Sequence, residues 1–119
     1  MKTTTTTTTT YRKKQYPPSL ENKNDLTDRL IKSLSKHSGY SEEDIKNSKS
    51  HHPAFWRKIA VYILVEKYDW TMQGAADVFE QTAPNAYNGY KSIERLATTD
   101  GKKHLVMPYV NQVYHDLTL

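Results

Sequence analysis

Residues 70–96, WTMQGAADVFEQTAPNAYNGYKSIERL, read as two short helices joined by a tight turn, and the rest of the chain is arranged to hold that pair. Thr71 supplies a hydroxyl to cap a first helix from Met72 to Phe79. Within it, the small residues Gly74, Ala75 and Ala76 let another helix approach closely. Pro84 suits the first position of the second helix, where its missing N–H would have no intrahelical partner in any case, and Thr82 stands just upstream as the cap. On a wheel of about 100° per residue, Asn85 to Ala97 divide into two faces. Ala86, Gly89, Ile93 and Leu96 make the inner stripe. Asn85, Asn88, Lys91 and Arg95 gather within about 120° on the other side, a face of amides and cations free of carboxylates. Such a face has the chemistry to read base edges and phosphates. It is also what any surface helix needs to meet water, and spacing alone leaves both readings open.

The strongest apolar signal lies immediately before this pair, in Ala54 to Tyr68. Phe55, Ile59, Tyr62 and Ile63 recur at helical spacing, Pro53 offers a start, and no alternating strand partner occurs elsewhere, so a helix is expected over a strand. Being apolar almost all round, it should be the helix on which the others pack. Upstream, Leu26, Leu30, Ile31 and Leu34 predict a helix from Asn24 or Asp25 to Lys36, ended by Gly39. Ser41-Glu42-Glu43-Asp44 forms a capping-box pattern before Ile45 and predicts about one further helical turn. Lys46 to Pro53, KNSKSHHP, has no apolar period and reads as a loop. Downstream, Thr98-Thr99-Asp100-Gly101 is turn chemistry. A last helix from Lys103 or His104 to Leu117 follows, with Pro108 marking its start or a kink. The expected architecture is all-α, five or six helices around one core and containing a helix-turn-helix.

Composition bounds the function. Residues 1–20 hold eight consecutive threonines and the segment YRKKQYPPSL, with no apolar period, and read as a disordered basic tail ahead of a single helical domain over 21–119. The formal charge is +4, yet Lys2, Arg12, Lys13 and Lys14 all lie in that tail. Removing those four from the 17 basic residues leaves 13 against 13 acidic ones, so the folded part is formally neutral. Any affinity for nucleic acid must therefore come from local segregation of charge together with the tail. With no cysteine there is no disulfide framework or thiolate metal site, which suits a reducing, cytoplasmic setting. The longest apolar run, Ile59 to Val65, is far short of the roughly 20 residues of a membrane span, so no membrane partner is expected. Neither a metal nor a cofactor is expected. His51 and His52 are adjacent and would point in different directions, there is no HExxH, and no GxxxxGK[ST] loop is present. Nothing in the sequence assembles a nucleophile, a base and an oxyanion site, so catalysis is not expected. Of the tyrosines, Tyr62, Tyr68, Tyr109 and Tyr114 read as packing residues, Tyr90 as inward-facing, and Tyr87 as nearer the polar face.

In this order, the stretch from about Asp25 to Leu96 resembles the C-terminal DNA-binding domain of the bacterial replication initiator DnaA. The likeness is distributed over a leading helix, the short SEEDI turn, a basic loop, the apolar segment FWRKIAVYILVEKY, the helix TMQGAADVF and the closing YKSIERL. It implies a helix-turn-helix fold without the initiator's ATPase domain, and double-stranded DNA as the partner. By the same resemblance Lys49 falls about where the family has a minor-groove arginine, and Arg57 matches an arginine at the start of the central helix. The chain departs from the family where the recognition helix begins. A basic residue, an aspartate, a histidine and two threonines are expected there, and this chain has Gln81-Thr82-Ala83-Pro84-Asn85. The DNA-binding residues expected are thus Lys49, Arg57, Lys58, Thr82, Asn85, Asn88, Lys91 and Arg95, in a protein of transcription or replication control. The alternative is a module that keeps the fold but binds a protein partner or a second copy of itself, with Tyr87, Trp56 and Trp70 as exposed aromatic anchors.

Overall fold

The computed structural model describes residues 20–48 and 50–118, with side chains described from residue 25 onward except at position 51. The expectation of a disordered tail falls outside these residues, apart from Leu20, which already begins a helix. Six α-helices and no strand occur among the described residues: α1 Leu20–Ser38, α2 Glu42–Asn47, α3 His51–Tyr68, α4 Met72–Val78, α5 Ala83–Ala97 and α6 Met107–Leu117. A single 3-10 turn, Lys103–Leu105, leads into α6. No helix among these residues is long and apolar enough to cross a membrane.

The helix boundaries follow local chemistry. Ser41 and Thr71 each sit in extended backbone and accept an N–H from the residue three places on, Asp44 and Gly74 respectively, at 3.1 and 3.0 Å. Gly39 ends α1 at φ 83°, a left-handed conformation that a glycine takes without a Cβ penalty. Two boundaries differ from the sequence reading. Helix α1 starts at Leu20, four or five residues before the expected Asn24 or Asp25. The segment KNSKSHHP is not a loop throughout, because α2 runs to Asn47 and α3 already begins at His51. Pro53 is then the third residue of α3, not its start. The first turn of a helix has N–H groups without intrahelical partners, so a proline there removes nothing, and polar histidines can occupy it without an apolar period.

Helix α3 is the central element. Ile59, Ala60, Ile63 and Leu64 are fully buried, and Trp56, Val61 and Tyr68 nearly so. Helix α1 lays Leu26, Leu30, Ile31 and Leu34 into the same core, α6 adds Val110, Val113 and Leu117, and Ile45 plugs it from α2. Helices α4 and α5 contribute mainly small residues, Ala75, Ala76, Ala86, Gly89 and Ala97, with Ile93 as the one large fully buried side chain of α5. Gly89 is needed for close approach: a Cβ there would lie 2.8 Å from Cγ of Lys58 on α3.

The expected last helix is divided. Val106 separates the 3-10 turn from α6, and Pro108 lies in the first turn of α6 and therefore marks a start. Tyr109 packs edge to face on Phe55 and Trp56 but is more open than expected, at 38% exposed, whereas Tyr68 is buried and Tyr62 and Tyr114 are half-buried as expected.

Candidate nucleic-acid interface

The candidate surface is built by the turn between α4 and α5. Helix α4 ends at Val78, and Glu80 takes a left-handed φ of 54°, which allows the Gln81 N–H to close back on the Ala76 carbonyl at 3.0 Å. The chain reverses without a glycine. Thr82, in extended backbone, then caps α5 by accepting the Asn85 N–H at 3.3 Å. Ala83 is the first helical residue and Pro84 the second, one place later than the sequence suggested. The buried stripe of α5 is Ala86, Gly89, Ile93 and Ala97, with Leu96 only partly covered.

The opposite face carries Asn85, Asn88 and Arg95, all exposed, and none of the three side chains has a hydrogen-bond or ion-pair partner among the described residues. Lys91 differs. Its ammonium pairs with the Glu94 carboxylate one turn on, so the face is not free of carboxylates as the wheel implied. Glu94 is three residues on, about 60° round the wheel from Lys91, and its carboxylate reaches the lysine from just outside the arc of the face. Donating to Glu94 raises the Lys91 ammonium above its ordinary value, and the same bond holds the Glu94 carboxyl below the usual carboxylate range.

One flank of α5 is aromatic. Tyr90 stacks on Tyr62 of α3 with ring centroids 5.7 Å apart and planes at 29°. Its hydroxyl donates to Glu66 and lies 3.3 Å from Glu94. Burial first, then the hydrogen bond to Glu66 and the nearby carboxylate charges, push this phenol well above its ordinary value. Tyr87 lies outside this pair, its ring tilted at 31° to that of Tyr90 with centroids 6.4 Å apart, and is 49% exposed.

The remaining expected site residues separate. Lys58 is exposed on α3 with its stem against Gly89, which places it beside α5, and no ion pair engages it among the described residues. Lys49 lies outside the described residues. Arg57 is not an open phosphate contact. It is 8% exposed, and its guanidinium donates to the carbonyls of Ile45 at 2.7 Å and Ser48 at 2.6 Å, with that of Asp44 at 3.4 Å. Burial lowers its pKa. Arg57 thus ties the C-terminal end of α2 and the following loop to α3, satisfying carbonyls that a helix end leaves unpaired. The sequence held a signal for this, because on the wheel of α3 Arg57 falls between Leu64 and Val61, inside the buried arc.

The aromatic anchors expected for a protein partner are reduced in the same way. Trp56 is 8% exposed and Trp70 half-buried, so of the three only Tyr87 is open.

One cluster was not visible in the sequence. Asp116 near the end of α6 accepts the Ser33 hydroxyl at 2.7 Å and the His37 imidazole at 2.9 Å on the same oxygen, with Lys36 at 3.6 Å, all three from α1. Arg29 adds a bond to the Asp116 carbonyl at 3.1 Å. The serine donates to the carboxylate and not to the imidazole, so the three groups act as a clamp between helices. Ser33 and His37 share one face of α1, but their partner is some 80 residues away in sequence. No group of three or more histidine, aspartate or glutamate side chains able to hold a metal occurs among the described residues.

No protein-family model, no curated protein sequence and no solved structure matches this chain. Its functional reading therefore rests on the residues and their geometry.

Proposed function

We propose that the chain is a helix-turn-helix protein that binds double-stranded DNA with sequence preference, by laying α5 in the major groove. Its role would be in the control of transcription or replication, acting in the cytoplasm, as the resemblance to the initiator's DNA-binding domain implies. One observation carries the reading: Asn85, Asn88 and Arg95 stand exposed on one face of a well-capped helix with their donors unengaged among the described residues. Asn88 and Asn85 read base edges, adenine being the bidentate partner of an amide. Arg95, Lys58 and Lys91 hold phosphates and fix register, the Thr82 hydroxyl stands at the margin of the contact, and Lys49 is a further contact that the resemblance implies. The basic tail adds affinity that does not depend on sequence.

Binding isotherms on DNA selected from a random pool, at two salt concentrations, test the proposal. Asn88→Ala should lower discrimination at one base pair by about 1–3 kcal/mol, while Arg95→Ala should weaken all sequences alike and reduce the salt slope by about one. Absence of affinity at low salt, or an unchanged isotherm in an Asn88→Ala, Lys91→Ala double variant, would sink the reading.

A second reading, a protein-interaction module, is favoured by a separate surface. An open groove of about 390 Å³ lies where the end of α1, the start of α3 and the beginning of α6 meet. Phe55, Trp56 and Tyr109 pack edge to face along it, and Leu105 and Tyr109 are exposed at its rim.

A further inference from the structure

The outermost of three neighbouring tyrosines, Tyr87, is exposed yet leans on a supported ring. Tyr62 and Tyr90 lie behind it, and the Tyr90 hydroxyl is held by Glu66 on α3 and flanked by Glu94 on α5 itself, so the ring on which Tyr87 leans is fixed from two helices. An aromatic side chain has few torsions to immobilise, and one already packed along an edge loses little freedom on binding. On the helix wheel Tyr87 stands beside Lys91, one turn on, at the edge of the face that carries Asn88, so a ligand that spans this face to its flank meets the ring as well.

Two features of its surroundings select what that would be. Glu66 and Glu94 place negative charge on this flank, which disfavours close approach of a phosphate. Among base edges in the major groove, the only apolar group is the C5-methyl of thymine. We infer that Tyr87 is a specificity-determining residue that packs against the thymine C5-methyl beside the base pair read by Asn88. The inference rests on the DNA-binding reading above. With an amide that favours adenine next to a ring that favours thymine, α5 is fitted to a site rich in A·T pairs.

The test is a cycle across the interface with the full chain and its selected DNA site, replacing each thymine in turn by uracil, which removes the methyl and leaves the hydrogen-bonding edge unchanged. For the unaltered protein, one or two positions should lose about fourfold in affinity, the worth of one buried methyl group. Tyr87→Phe should keep that ratio. Tyr87→Ala should abolish it, and Tyr90→Leu, which removes the ring behind without touching Tyr87, should reduce it. Tyr87 is exposed, so its variants should melt with the parent, and thermal unfolding checks this directly. Uracil tolerated everywhere by the unaltered protein, or an undiminished penalty in Tyr87→Ala, overturns the inference while DNA binding stands. Failure to bind any duplex overturns both.

Discussion

Along the seam between α1 and α6, Asp116 collects Ser33, His37 and Lys36, and Arg29 bonds its backbone carbonyl, whereas on the outer face of α5 the side chains of Asn85, Asn88 and Arg95 find no partner among the described residues. Both regions are polar surfaces of helices packed on the same core. The difference lies in whether a second helix supplies the complementary group. Arg57 and Arg95 make the same point within one residue type. The first bonds carbonyls of α2 and is buried, while the second is exposed with its donors open. Polar groups that the fold needs are engaged across elements. Those left open along one face of a capped helix are available to a ligand.

The largest test of this division is at Arg57. If its bonds hold α2 in place, Arg57→Ala should destabilise the fold by about 2–3 kcal/mol, because charged hydrogen bonds are lost and carbonyls are left without a donor. Arg57→Lys should recover only part, since an ammonium cannot reach two carbonyls with a planar fork. Urea denaturation measures both. A loss below about 0.5 kcal/mol would return Arg57 to the surface residues, where changes of that size are ordinary.

A smaller effect is expected at the seam. The Ser33 hydrogen bond, with that of His37 and the charge of Lys36, holds the Asp116 carboxyl below its ordinary value of 3.8 despite the opposing effect of burial. A carboxyl depressed in the folded state contributes stability that is full above the unfolded value and is lost as the pH falls through the folded one. Asp116→Asn keeps an acceptor for Ser33 and His37 but cannot titrate, so its melting temperature should fall less steeply than the parent's below about pH 4. Asp116→Ala should cost about 1–2 kcal/mol at neutral pH, because the buried Ser33 hydroxyl loses its partner. Parallel acid limbs in parent and Asp116→Asn would remove the clamp from the comparison.

The sequence was legible wherever the controlling interactions are local. Thr71, Ser41 and Thr82 cap the helices they were expected to cap, and α3 is central because its apolar residues wrap most of its circumference. The all-α architecture follows from those periods. It was less legible where a residue's fate depends on what lies across from it. His51 and His52 read as loop because the first helical turn needs no apolar period, and Arg57 read as a surface cation because its wheel position shows that it is buried but not the backbone carbonyls that accept from it. Asp116 was invisible since its partners are on a helix far away in sequence. On α5 the face was correctly placed at Asn85, Asn88 and Arg95, but the reach of the Glu94 side chain to Lys91 was not.

That pair is where the two regions of the molecule meet in one residue, and it gives the smallest expected effect. Lys91 lies on the open face yet is engaged by Glu94, which also neighbours the Tyr90 hydroxyl. In contact with DNA the same ammonium would exchange a carboxylate for a phosphate, so the pair opposes binding by roughly the worth of an exposed ion pair, about 0.2–1 kcal/mol. Glu94→Gln removes the charge and keeps the shape. The variant should bind all duplexes about threefold more tightly at low salt and show a salt slope steeper by up to one, with no change in which bases are preferred. Adding Lys91→Ala to it should cancel the gain, and Tyr90 should keep its place through Glu66. Equal affinity in Glu94→Gln and parent would assign Lys91 to the engaged class with Arg57, leaving Arg95 as the open cation of α5 beside the two asparagines.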